Sequence, residues 1–262
     1  MKSKKRFSLS TTHLIMLSFL GVVAVGTLLL WLPISTKSGQ SVAFVDALFT
    51  ATTATCVTGL VTLSTHATWS VFGQVVILLL IQIGGLGLIT IMGTISMLLH
   101  RKMGLGDRML LRDAFNLNTL SGIAPFVRRV VLGTLIVEGA GALLYMTVFV
   151  PAYGRRGIWL SVFTAISAFC NAGIDLLGDV SLSAYATNPI VGAVTMALIV
   201  LGGLGFVVWW DVLRVAKFIG KRKHPLSSLT LQSKIALTST AVLLAVGFAA
   251  FLGFEWSNPA TL

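Results

Sequence analysis

The chain has 262 residues, 56% hydrophobic and 10% charged, with a mean hydropathy of +0.94. Soluble domains carry roughly 25% charged residues, so a soluble globular class is excluded and a polytopic membrane protein is predicted. The net charge of +11 raises nucleic acid as a partner until that charge is located. Two cysteines, Cys56 and Cys170, and four scattered histidines supply neither a disulfide framework nor metal-ligand spacing.

Five apolar segments are long enough to span, since about 20 helical residues cross a hydrocarbon core. The first, 13–32, follows Lys2, Lys4, Lys5 and Arg6 as a secretory leader would. Its apolar core is too long for one, and no small-residue cleavage site follows Trp31-Leu32-Pro33, so a retained spanning helix is expected. A short apolar stretch at 42–53, the run Thr55-Cys56-Val57-Thr58-Gly59 and a second span at 74–99 come next. After the connection 101–129 the order recurs: a span at 130–150, a short stretch at 158–168, the run Phe169-Cys170-Asn171-Ala172-Gly173 and a span at 189–210. The connection 213–233 leads to a last span at 234–254. The short stretches reach only about 18 Å as helix, the length of re-entrant or interfacial segments.

Basic residues fix the expected orientation. Of 19 Lys and Arg, 16 lie in the N-terminal arm and the second and fourth connections, leaving Lys37, Arg155 and Arg156 for the other side. The positive-inside rule then makes the N-terminus cytoplasmic and sets the short stretches on the outside. Topology accounts for the charge, and no nucleic acid is implied.

The recurrence extends to residues. FTATTATCVTGL from Phe49 aligns with FTAISAFCNAGI from Phe163 at a shift of 114, matching Cys56 with Cys170 and Gly59 with Gly173, and Thr53 conservatively with Ser167. IGGLGLI from Ile83 aligns with LGGLGFV from Leu201 at a shift of 118. Both copies begin on the same side, so parallel repeats are predicted. The expected organisation is an arm 1–12, a first helix, half-helix, return loop and helix unit at 13–100, the connection 101–129, a second such unit at 130–212, the connection 213–233, and the first helix of a third unit at 234–262.

A chain that dips halfway into a bilayer must return as extended backbone, tolerated only where it is buried in protein or lines water. Carbonyl oxygens in such a loop can replace the hydration shell of a cation. Thr55, Cys56, Val57, Thr58 and Gly59, with Phe169, Cys170, Asn171, Ala172 and Gly173, are therefore the candidate ion-lining residues. Gly59 and Gly173 are expected to supply positive φ or close approach. The alternative reading is plain helix packing through small residues.

These motifs resemble the Trk/Ktr/HKT superfamily of potassium transporters, and within it the KtrB-type membrane subunits. ATTATCVTGL and SAFCNAGIDLLG look like that family's first and second pore loops, each with one filter glycine. The resemblance implies an all-α fold of tandem parallel units in the manner of potassium channels, with a pseudo-four-fold pore that takes up K+ across the plasma membrane. It implies K+ as the transported ion, Na+ as a candidate activator and no cofactor in this chain. A homodimer and a cytoplasmic regulatory subunit of the KtrA type are implied as partners, with nucleotide expected only on that subunit. The family pore has four units, so this sequence is expected to be part of a longer one. A secondary carrier for another cation or small solute is the alternative, and it calls for inverted repeats or charges in the membrane core. No paired catalytic groups such as HExxH are visible, so no enzyme is expected.

Other residues have open readings. Glu138, inside a spanning helix, is either functional or a hydrogen-bonded interhelical partner. Asp175 and Asp179 either concentrate cations in an outer vestibule or pair with Arg155 and Arg156. Asp46 complements the N-terminal dipole of the first half-helix. Gly84, Gly85, Gly87 and their copies are either a packing surface or a hinge, and no direct ion contact is assigned to them. Trp31, Trp69, Trp159, Trp209, Trp210 and Trp256 read as an aromatic belt at helix ends.

Overall fold

A computed structural model describes residues 11–87, 90–91, 109, 123–178, 180–217, 228–256 and 258. It is all-α. Among the described residues no strand forms beyond the single bridge between Thr36 and Trp69. Two compact units, 1–203 and 204–262, are taken in turn.

In the first unit, α1 (Thr11–Trp31) ends at Pro33, whose ring cannot donate to a continuing helix. Helix α2 (Phe44–Cys56) carries Asp46 in its first turn, where a carboxylate suits the positive end of the helix. A single turn, α3 (Thr65–Thr68), leads to α4 (Val71–Leu86), which Ser70 caps by accepting the Gly73 N–H at 3.3 Å. Ser70 also ties this corner back to the end of α1, its N–H donating to Ser35 O at 2.9 Å and its hydroxyl to Ile34 O at 2.7 Å. Trp69 is fully buried here, so it does not belong to an aromatic belt as the sequence suggested, and the half-buried Trp159 donates its indole N–H to Gln74 Oε1 at 2.8 Å. The proximity of Trp69 to a helix end reflects a packed corner.

Helix α5 (Ile123–Tyr153) carries Pro151 in its last turn and stops at Gly154, whose φ of 59° with ψ of −138° suits a residue without Cβ. The chain turns back as α6 (Arg155–Phe169), and Gly157 lets it press on the end of α5, since a Cβ there would lie 2.2 Å from Phe149 O. Helix α7 (Pro189–Leu204) follows. The close approaches recur: a Cβ on Gly26 of α1 would meet Leu80 Cδ1 of α4 at 2.7 Å, and one on Gly141 of α5 would meet Leu198 Cδ1 of α7 at 2.8 Å.

In the second unit, α8 (Phe206–Ala216) and α9 (Leu231–Glu255) are linked through Asp211, which accepts the Thr230 N–H at 2.8 Å and its hydroxyl at 2.9 Å. Arg214 completes the cluster at 2.5 Å from Asp211 Oδ1. Thr230 in turn caps α9 by accepting the Ser233 N–H at 3.3 Å. Beyond this anchor, α9 exposes Leu243, Phe248, Phe251 and Phe254, an apolar surface on all sides that suits a hydrocarbon environment.

Among the described residues, Ala124–Tyr153 and Leu231–Glu255 are long and apolar enough to cross a membrane. Shorter apolar helical stretches occupy Ile15–Trp31 and Val71–Leu86. The span expected at 74–99 is helical to Leu86, and residues 88–89 and 92–99 lie outside the described residues. The span expected at 189–210 is interrupted at Gly205. The cause is the same in both places: the last glycine of each GGLG adopts a positive φ, 80° at Gly87 and 84° at Gly205, which breaks the helix.

Candidate functional site

The candidate residues sit in two loops that leave the C-terminal ends of α2 and α6. Helix α2 holds its register through Cys56, so Thr55 and Cys56 form its last turn, and the extended run expected from Thr55 starts later. Val57 then adopts a left-handed conformation (φ 57°, ψ 43°), Thr58 follows, and Gly59 turns again at φ 78°. In the second loop Phe169 closes α6, Cys170 remains helical in dihedral, Asn171 is left-handed at φ 60°, and Gly173 turns at φ 67°. The positive φ foreseen for the two glycines is present. The left-handed residue two places earlier was not foreseen; Asn171, a type that tolerates that region, was the one available clue, whereas Val57 is strained there.

Side-chain hydroxyls fasten both loops to their own helices. The Thr58 N–H donates to Thr53 O at 3.0 Å, and the Ala172 N–H donates to Ser167 O at 2.8 Å. The Thr53 hydroxyl accepts the Leu60 N–H at 3.0 Å and bonds the Thr58 hydroxyl at 2.6 Å. The Ser167 hydroxyl accepts the Ile174 N–H at 3.1 Å and donates back to Ile174 O. Each clasp satisfies polar backbone at a helix end that would otherwise be buried unpaired. The conservative match of Thr53 with Ser167 was the sequence signal for it.

The two loops meet each other. A Cβ on Gly59 would sit 2.7 Å from Ala172 O, and one on Gly173 would sit 3.7 Å from Gly59 Cα. Glycines of the GGLG motifs support them from behind. A Cβ on Gly84 would lie 2.1 Å from Thr55 O, and one on Gly202 would lie 1.7 Å from Phe169 O, so helix backbone lies directly against a last-turn carbonyl of each short helix. Gly85 reaches across to the other loop, where its Cβ would fall 2.4 Å from Cys170 Sγ. The motif thus divides its labour: its first glycine packs in both copies and its last breaks the helix.

Both cysteines are free, Cys56 exposed and Cys170 buried, so no disulfide links these equivalent positions. Asp175 accepts the Leu177 N–H at 2.8 Å and the Ser181 hydroxyl, which orders the segment after Gly173. Asp179 lies outside the described residues. A cavity of about 380 Å3 lies over the loops, lined by Thr62, Ser64, His66, Gly173, Asp175 and Ser181 among others. Glu138, 4% exposed on α5, accepts both of its contacts from Gln82 Nε2 of α4, at 3.0 and 3.1 Å. Of the readings left open for it, the interhelical hydrogen bond is the one observed. Among the described residues no group of three or more His, Cys, Asp or Glu could hold a metal ion.

Comparison with known proteins bears on what such a site does. The family model described as "TrkH: Cation transport protein" matches residues 2–259. The chain is 43% identical over 253 residues to "Potassium/sodium uptake protein NtpJ" of Enterococcus hirae, covering 96% of this chain and 54% of that protein. It is 40% identical over 247 residues to "Ktr system potassium uptake protein B" of Bacillus subtilis, covering 94% and 53%. The protein of that description from Vibrio alginolyticus is 35% identical over 251 residues, covering 95% and 53%. The chain spans about half the length of the curated relatives it matches.

Proposed function

Because the chain belongs to the TrkH cation transport protein family, we propose that it forms part of a pore for potassium uptake across the cytoplasmic membrane, as the ion-translocating subunit of a Ktr/Trk-type system. Helices α2 and α6 act as half-length pore helices entering from outside, and the backbone of 55–59 and 169–173 forms two segments of the selectivity filter. The N-terminus is cytoplasmic. Each of the repeated units, 13–100 and 130–212, contributes one segment, and further units of a longer polypeptide would complete the pseudo-four-fold ring. The single observation that carries this reading is the apposition of the two loops, glycine against peptide carbonyl, with the same sequence of left-handed residue and turning glycine in each. Two stretches of non-helical backbone brought edge to edge between apolar helices need a polar occupant, and a partly dehydrated cation meets that need.

The cavity over the loops serves as an outer vestibule, with Asp175 as its described carboxylate and Asp179 as a second candidate. K+ is the transported ion, and Na+ acts as an activating ion. The relatives are described in keeping with this, one as a potassium/sodium and two as a Ktr system potassium uptake protein. A homodimer and a KtrA-type nucleotide-binding subunit on the cytoplasmic side complete the proposed assembly. The basic connections 101–129 and 213–233 are the segments available to that subunit.

Replacing Gly59 with Ser in the complete transporter and following potassium-limited growth and uptake of K+ and Na+ tests the reading. Lower K+ affinity and a reduced preference for K+ over Na+ are expected, because the added side chain meets Ala172 O. Unchanged affinity and preference would remove the filter assignment. Uptake of an organic solute in place of rubidium would favour a carrier.

A further inference from the structure

Glu138 is the carboxylate that the proposed filter leaves unexplained. It sits on α5 at a depth where only a hydrogen-bonded or paired carboxylate is tolerable. Its partner Gln82 stands on α4 and is held from two sides: Nε2 donates to the carboxylate, while Oε1 lies 3.9 Å from the thiol of Cys170. That thiol belongs to the first residue after α6, and it also lies against Gly85, one turn along α4 from Gln82. A polarised line of donors therefore runs from Cys170 to Gln82 to Glu138, crossing from one repeated stretch to the other.

The matching positions of the other repeat lack this line. Glu138 lies three residues before Gly141, and three before its structural counterpart Gly26 stands Val23. Gln82 lies two residues after Leu80, and two after Leu198 stands Val200. Cys56, the counterpart of Cys170, is exposed, whereas Cys170 is 8% exposed. Polar residues occur on both sides of one boundary and apolar residues at the equivalent places, so generic helix packing does not account for the pair.

We propose that Glu138 is a positioning residue for the second loop, fixing the backbone at Cys170 to Gly173 through the Gln82 amide and the Cys170 thiol. The proposal rests on reading that loop as filter, and the two are separable by experiment. The complete transporter carrying Gln82→Leu, Glu138→Leu, Glu138→Gln or both leucines is reconstituted in liposomes. Two quantities are measured: the ratio of K+ to Na+ uptake, and the rate at which a small methanethiosulfonate reagent modifies Cys170, read from peptide mass.

Each leucine variant is expected to speed Cys170 modification about ten-fold and to lower the ion ratio comparably, the scale set by leaving a buried polar group without its partner. The double variant should be no worse than either single one, because both break the same line. Glu138→Gln keeps an acceptor toward Nε2 and should stay within about two-fold of the parent. If Glu138→Leu does not assemble, Gln82→Leu decides, since Gln82 is only half-buried. A modification rate that does not move, or additive effects in the double variant, overturns the proposal. Faster modification with an unmoved ion ratio supports the anchoring and overturns the filter reading on which its function rests.

Discussion

The loops after α2 and α6 follow one backbone plan with different chemistry around it. Both place a left-handed residue two positions before a turning glycine, and both are fastened by a hydroxyl seven residues before the N–H it serves. The first loop puts a β-branched Val57 in the strained position and leaves Cys56 exposed; the second puts Asn171 there and buries Cys170 against α4. Backbone geometry was evidently the constraint at these positions, and side-chain identity was free to adapt to each loop's neighbours.

Substitutions sharpen that comparison. The largest expected effect is common to both loops: Gly84→Ala and Gly202→Ala each drive a methyl group into a backbone carbonyl, and each should cost at least about 3 kcal/mol of stability, as severe overpacking does. Thermal unfolding of the detergent-solubilised transporter measures it, and equal midpoints for parent and variants would show the helix and loop to be separable. Next come the turning glycines, whose surroundings differ. Gly59→Ala and Gly173→Ala both pay about 1–2 kcal/mol for a side chain at positive φ. Gly59→Ala adds a clash with Ala172 O, while Gly173→Ala meets Gly59 at ordinary contact distance, so the first should be the more damaging to both stability and K+ preference.

Ser167→Ala and Thr53→Val remove the hydroxyl clasps and should each cost about 1 kcal/mol. Ser167→Ala should be the worse of the pair, because both hydrogen bonds of its hydroxyl are buried whereas those of Thr53 are only part-buried. The smallest effect runs the other way. Val57→Asn copies the second loop into the first and should gain under about 1 kcal/mol by relieving backbone strain, seen as a raised unfolding midpoint; a lowered midpoint would mean that Val57 makes packing contacts worth more than its strain.

Much of this architecture was legible in the sequence because it depends on length and residue type. Stretches 42–53 and 158–168, too short to span, coincide with helices of 13 and 15 residues, the first of which begins two residues later, at Phe44. Gly59 and Gly173 were flagged for positive φ because little else fits a sharp return. Features that depend on pairing were not legible. Glu138 was singled out by its depth, but its partner lies 56 residues away on another helix, and no local pattern points to Gln82. The helix breaks at Gly87 and Gly205 escaped because hydropathy continues unbroken through GGLG. Trp69 was misplaced for a related reason: proximity to a helix end says nothing of whether that end is buried.

The reach of Gly85 to Cys170 has a bearing on engineering. Although the two stretches look like duplicated cassettes, one of them supplies the wall against which the other is moulded. A graft that moved only 155–174 from a relative into this chain would import a thiol, or its replacement, without the groove cut to receive it. Donor segments for chimeras should therefore be chosen with α4 and α6 transferred together.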